Sequence, residues 1–219
     1  MFHAQFTSGK RFENPTSKVV CVGRNYAEHA RELNNPIPDS PILFIKPETS
    51  LVNIEPSFVI PDSDCHYEAE IAILIGEELN KVSYQTAKEG ISGVGLAIDL
   101  TKRNLQSQLK KKGHPWEISK AFDGSCPLSQ FMPVSDITSL ESITFTLSIN
   151  EEIKQKGVAK DMITPIVSLI MYISEHFTLR AGDIVLTGTP QGVGELFNND
   201  KIELTLLDKL SIKTQAVTL

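Results

Sequence analysis

The sequence predicts an α+β fold dominated by mixed sheet. Short runs of Val, Ile, Leu and Thr recur at strand length throughout the 219 residues, helical spacing appears in only a few stretches, and strict strand–helix–strand alternation is absent. One domain accounts for this length. Residues 1–16 form an N-terminal flank, and residues 25–40 are a candidate lid.

In chain order, "SKVVCVG" (17–23) is a buried strand, and "NYAEHARELNN" (25–35) a short helix. Prolines with Asn and Asp in "NNPIPDSP" then force an irregular loop. "ILFIKP" (42–47) and "DCHYEAEIAILIG" (64–76) are strands. "VSYQTAKEG" is a helix with Ser83 as N-cap and Gly90 past its end. "GVGLAIDL" (93–100) is a strand leading into "TKRNLQSQLKKKG", a helix that stops at Gly113. "ITFTLSIN" (143–150) alternates and turns back through "EEIKQKG" as a hairpin. In "DMITPIVSLIMYISEHF" (161–177), Met162, Pro165, Ile166, Leu169, Ile170 and Ile173 fall near one helical face, with Pro165 in the first turn. "GDIVLTGTPQGVG" is a strand entering a glycine-rich loop, and "KIELTLLD" with "LSIKTQAVTL" closes the chain as a hairpin.

Composition narrows the function. A net charge of −6 opposes a nucleic-acid binder, and "KKK" at 110–112 reads as a solvated helix end. The longest apolar stretches fall far short of a membrane span, and the N-terminus lacks a signal-peptide layout, so a cytoplasmic protein is expected. Cys21, Cys65 and Cys126 form no CxxC pair and are expected to be buried structural thiols. No P-loop, dinucleotide fingerprint or Gly-x-Ser-x-Gly elbow is present.

The fault in the strand at 64–76 carries the chemistry. Tyr67, Ala69, Ile71, Ile73 and Ile75 share one apolar face, whereas His66, Glu68 and Glu70 share the other with Ala72 and Leu74. Two carboxylates on one face repel and raise each other's pKa unless a cation joins them, and Mg²⁺ favours such a site. Asp99, at the end of the next strand, is a candidate third ligand. Solvated glutamates and an aspartate N-cap are the alternatives at this point.

Taken in order, "VGRNYAEHARE", "LFIKP", "HYEAE", "AIDLTKRNLQ", "SKAFDGSCP" and "VLTGTPQGVG" resemble the fumarylacetoacetate hydrolase superfamily, in its small acylpyruvase or oxaloacetate decarboxylase-like branch. The resemblance implies a strand-rich β-roll with a few short helices, and a homodimer. It implies that Glu68, Glu70 and Asp99 hold Mg²⁺, with Mn²⁺ or Ca²⁺ as substitutes. It implies a His29–Glu32 catalytic dyad on the lid and Lys120 as the group polarising substrate. Arg103, Gln106 and Thr189 would hold the oxygens of a small 2-oxo acid. Asn104 departs from the pattern, because relatives often have Asp after this arginine.

The spacings agree with those roles. His29 and Glu32 are three apart on a helical stretch, so a carboxylate can orient an imidazole. If the helix after the strand over 93–100 begins near Asp99, then Asp99, Arg103 and Gln106 form one stripe. The hydroxyls and N–H groups of "TGTPQGVG" can receive an anion. His66 is a candidate for tuning the site from behind the ligands.

The activity implied first is metal-dependent C–C hydrolysis of an acylpyruvate to pyruvate and a carboxylic acid. The dyad would deprotonate a water for attack on the C4 carbonyl, and Lys120 with the cation would offset the enolate charge. The same site would serve an oxaloacetate decarboxylase or keto–enol tautomerase, with the dyad as proton shuttle. A non-catalytic metal or 2-oxo-acid binder is the alternative of another class; the complete dyad argues against it.

Overall fold

A computed structural model of the chain describes residues 1–33 and 36–218. The strands are β1 (Lys18–Gly23), β2 (Ile42–Pro47), β3 (Leu51–Asn53), β4 (Phe58–Val59), β5 (Cys65–Tyr67), β6 (Ala69–Ile75), β7 (Ile91–Ile98) and β8 (Thr101–Lys102) in the first half. The second half adds β9 (Cys126–Leu128), β10 (Met132–Pro133), β11 (Thr144–Ile149), β12 (Glu152–Val158), β13 (Ile184–Leu186), β14 (Gly194–Glu195), β15 (Lys201–Leu206) and β16 (Leu210–Val217). Four short helices, α1 (Ala27–Glu32), α2 (Tyr84–Glu89), α3 (Arg103–Lys111) and α4 (Ile166–His176), lie between them.

The central sheet runs β2-β1-β13-β6-β7-β9-β3, with β10 on β7. It is mixed: β1–β13 and β3–β9 are parallel, and the other pairs are antiparallel. A second sheet, β12-β11-β15-β16-β4, contains both expected hairpins. Asn150 and Glu151 turn the first with φ of 50° and 70°, the backbone a tight two-residue hairpin turn requires. A small third sheet, β14-β5-β8, sits beside the site.

The β6 pleat sorts the core as its alternation requires. Ile71, Ile73 and Ile75 enter one apolar cluster with α4 and the second sheet. Ala72 and Leu74 enter another, with Val19, Cys21, Phe44 and Phe131, and Phe2, Phe6 and Phe12 of the N-terminal flank pack on it. In α4, Ile166, Leu169, Ile170 and Ile173 are buried, each contributing about 1.5–3 kcal/mol relative to exposure. All three cysteines are buried and free. Burial raises each thiol, to about 12 for Cys65 and Cys126, so they are inert.

Several boundaries differ from the sequence reading. The strand expected over 64–76 is two strands broken at Glu68, where the chain changes sheets: β5 pairs with β14 and β8, and β6 with β13 and β7. At the break, Ala69 N–H donates to the Gln155 side chain rather than to a strand. The third helix starts at Arg103, not near Asp99, because Thr101 and Lys102 pair with His66 and Cys65 as β8. Asp99 therefore lies outside the helical stripe. Helix α4 starts after Pro165, which is its N-cap, and Met162 bridges Tyr26 instead. Of the lid expected over 25–40, residues 34 and 35 lie outside the described residues. The segment before them is tied down at Asn25, whose buried side chain bonds Thr164 and the Thr187 carbonyl.

Candidate active site

The antiparallel register of β6 and β7 assembles the carboxylates. Ala69 pairs with Ile98, so the next residues, Glu68 and Asp99, face each other, and Asp99 N–H donates to the Glu68 carbonyl at 2.8 Å. Glu70 stands on the same face opposite the small Ala97. One carboxylate oxygen from each of Glu68, Glu70 and Asp99 lies within 4.8 Å of the others, and all three residues are buried.

Cations approach from three directions. Lys120 Nζ contacts Glu68 Oε2 at 2.7 Å and Asp99 Oδ2 at 2.5 Å. Arg103 donates to Glu68 Oε1 and, at 3.0 Å, to Gln106 Oε1. The third is Lys46, which sequence reasoning missed. It is fully buried, 2.8 Å from Asp99 Oδ1, and donates to Ser125 and the Lys120 carbonyl. Its signal was a lysine within the apolar strand "LFIKP", the same kind of fault as the paired glutamates.

The charges are unevenly satisfied. Burial acts to raise Glu68, but Lys120, Arg103 and His29 outweigh it and hold this carboxyl below its usual range. Burial and then Asp99 push Glu70 well above its usual range. Glu70 Oε2 accepts the Gly188 N–H at 2.6 Å. Although Lys46 is close to Asp99 Oδ1, its angle is not that of a hydrogen bond, and this buried oxygen has no donor. An undonated buried oxygen beside a repelled carboxyl, in an all-oxygen donor set, fits a hard divalent cation such as Mg²⁺, Mn²⁺ or Ca²⁺.

Helix α1 brings His29 to the same cavity, with Nδ1 3.4 Å from Glu32 Oε2. Glu32 is fixed in turn by the Gly192 N–H at 3.0 and 3.3 Å. The glycine-rich loop thus receives anions, as its composition suggests, but they are the protein's own Glu32 and Glu70. Gly188 and Gly192 have φ of +92° and +96°, and a Cβ at Gly192 would stand 2.0 Å from the Lys154 carbonyl. Burial, helped by Arg103, lowers the His29 imidazole from its ordinary range, against the pull of Glu68 and Glu32.

The cavity has a volume of about 330 Å³; His29, Glu68, Glu70, Asp99, Arg103, Gln106, Lys120 and Thr189 all line it. The Thr189 hydroxyl donates to the Ala69 carbonyl and accepts from Gln155, another residue the sequence reading missed. Asp64 accepts the Asn104 N–H, anchoring the first turn of the helix that carries Arg103. His66 is half-buried on β5 and does not line the cavity. A larger cleft of about 680 Å³ lies elsewhere, between α2 and α4, without such a cluster among the described residues.

Residues 18–217 match the fumarylacetoacetate (FAA) hydrolase C-terminal family. The chain is 45% identical over 220 residues to oxaloacetate tautomerase YcgM of Escherichia coli, covering 99% of this chain and 100% of the relative. It is 43% identical over 187 residues to a mitochondrial oxaloacetate decarboxylase of Dictyostelium discoideum, covering 84% of this chain and 86% of that one. Among solved structures, fumarylpyruvate hydrolase from Pseudomonas aeruginosa, in complex with Mn²⁺ and pyruvate, superposes with a TM-score of 0.92 at 31% identity, covering 99% of this chain and 96% of that one. The acidic strand pair, the His–Glu helix and the mixed sheet thus sit in a chain that belongs to the fumarylacetoacetate hydrolase family of enzymes.

Proposed function

We propose that the protein catalyses keto–enol tautomerisation of oxaloacetate, with a divalent cation held by Glu68, Glu70 and Asp99. The observation that carries this reading is a small cavity with His29, backed by Glu32, on one wall and a cation-rich carboxylate cluster on another. The oxaloacetate tautomerase name of the Escherichia coli relative supports it over the acylpyruvate hydrolysis expected first, which is supported only at the level of the family. A volume near the lower end for ligand sites suits a small acid better than an extended acyl chain.

In this reading Arg103, with Gln106 braced against it, pairs with the substrate carboxylate. His29 accepts a proton from the methylene carbon through the nitrogen facing away from Glu32. The C–H electrons become the C=C bond, and the Lys120 ammonium offsets the charge gathering on the carbonyl oxygen. The imidazolium, steadied by Glu32, returns the proton to that oxygen. Val22, Ile42 and Phe44 in the wall limit water entry. Bound at the three carboxylates, Mg²⁺ or Mn²⁺ would supply Lewis-acid stabilisation of the enolate. Homodimeric assembly and a cytoplasmic location belong with the same reading.

The test follows enol absorbance and pyruvate release in parallel, with oxaloacetate and acetylpyruvate as substrates and Mg²⁺ present. Rapid loss of the enol signal without pyruvate supports the tautomerase. Pyruvate release from oxaloacetate at the same rate would make it a decarboxylase; faster acetylpyruvate cleavage would restore the hydrolase. His29→Ala should slow the reaction by about 10²–10⁴-fold.

A pH dependence follows from the His29 environment. Its folded pKa is lowered from 6.5, so the base stays available as pH falls through that value. The acid limb of kcat/KM should therefore break below 6.5. Between the folded value and 6.5 the unfolded chain binds the additional proton, so this group's contribution to stability declines as pH falls through that window. An acid limb at or above 6.5 would contradict the environment described for His29.

A further inference from the structure

Helix α3 turns three residues toward the cavity: Arg103, Gln106 and Lys110. Their spacing of three and then four puts them on successive turns of one stripe. Arg103 ends at Glu68, so it marks the carboxylate end of the cavity. Lys110 lies about 6 Å beyond Gln106 along the helix axis, and its Nζ is 5.3 Å from the centre of the Trp116 ring. Arg24, from the end of β1, lines the same region. Its φ of 65° is a left-handed conformation that a non-glycine residue rarely adopts.

The charges here are unbalanced. Lys46, Lys120 and Arg103 are all paired with carboxylates of the cluster. Among the described residues, neither Lys110 nor Arg24 has a carboxylate partner within ion-pair distance. Much of the Lys110 side chain remains in solvent, as a helix-end lysine should. Its ammonium is nevertheless disfavoured, with a pKa pushed down to about 8 by burial first and then by Arg24, Lys120 and Arg103. Unpaired cations lining one cavity repel each other, and an incoming anion relieves that repulsion.

We propose that Lys110, assisted by Arg24, is the specificity-determining cation that receives the far carboxylate of a 2-oxo diacid whose near end lies at Arg103 and Lys120. This rests on the reading of the cavity as a 2-oxo-acid site and adds what separates diacids from monoacids. Lys110 is rooted two turns, about 10 Å of axis, beyond Arg103, but a helical lysine leans back toward the N-terminal turn, and the second carboxylate of a four-carbon diacid extends toward it. Pyruvate has nothing to offer Lys110. Trp116, which lines the same cavity, limits the lysine's range through its ring face.

The test is calorimetric titration of the Mn²⁺-loaded protein with pyruvate and with difluoro-oxaloacetate, whose central carbon bears no hydrogen and cannot enolise. Wild type should prefer the diacid. Lys110→Met should weaken the diacid by about 10–100-fold, as loss of a charge-assisted contact does, and leave pyruvate within about twofold. Lys110→Arg should keep the preference, and Arg24→Gln should reduce it less than Lys110→Met. Equal weakening of both ligands, or an unchanged preference in Lys110→Met, would overturn the inference while leaving the cavity's reading intact. Binding of neither ligand by wild type would overturn that reading and the inference with it.

Discussion

Glu70→Gln is expected to lose about 10²–10³-fold or more in turnover, while the metal-free protein becomes no less stable. Glu70 is buried 2.6 Å from the Gly188 N–H, and burial with Asp99 nearby already disfavours its charge. Glutamine keeps the shape and the acceptor for that N–H but removes the charge, so like-charge repulsion is relieved in the absence of metal. What it forfeits is a third anionic oxygen beside Glu68 and Asp99. The observable pattern is therefore opposed: lower activity, an unchanged or higher melting temperature without metal, and loss of the stabilisation that Mg²⁺ gives wild type. Glu70→Gln with full turnover would remove the carboxylate from the mechanism.

The second large effect falls on Lys46. Replacing it with methionine is expected to cost about 3–5 kcal/mol of stability, the scale for stripping one partner from a buried ion pair. Lys46 is wholly enclosed, and its ammonium serves Asp99, Ser125 and the Lys120 carbonyl together. Methionine fills a similar volume but takes the counter-charge from Asp99 and a donor from two acceptors, Ser125 and the Lys120 carbonyl, the latter keeping only the Ser125 hydroxyl. Because the Lys120 carbonyl is one of them, turnover should fall as well through displacement of Lys120. Urea unfolding measures the first effect, and a loss under about 1 kcal/mol would mean that the buried lysine is incidental.

Much of this site is legible in the sequence, and the reasons are specific. Glu68 and Glu70 stand out because a pleated strand exposes any polar pair that breaks its alternation. Asp99 could be suspected, but its partnership with Glu68 depends on β6–β7 register, which is a nonlocal property. The stripe from Asp99 into α3 failed for a related reason: β8 intervenes because a distant strand, β5, captures Thr101 and Lys102. Local periodicity carries no trace of that capture.

Gln155 was missed because it resembles an ordinary residue in its own segment, and Lys46 because its fault in an apolar strand does not say which carboxylate it meets. A lysine at the end of an apolar strand and a glutamine in a polar hairpin acquire roles only through tertiary packing. Gln155 bonds Ala69, Thr189 and Pro190 from the hairpin of the second sheet, tying that sheet to the break at Glu68. Lys110 shows the limit differently. It is a solvated helix end, as its sequence suggests, and it also borders the cavity, because α3 runs along the cavity wall.

Equilibrium dialysis of metal-stripped protein against Mn²⁺ addresses the convergence of Glu68, Glu70 and Asp99 most directly, comparing wild type with the Glu70→Gln, Asp99→Asn double variant. One ion retained per wild-type chain, none by the variant, and turnover that follows occupancy are expected. Undiminished binding by the variant, or full wild-type turnover in EDTA, would contradict the account.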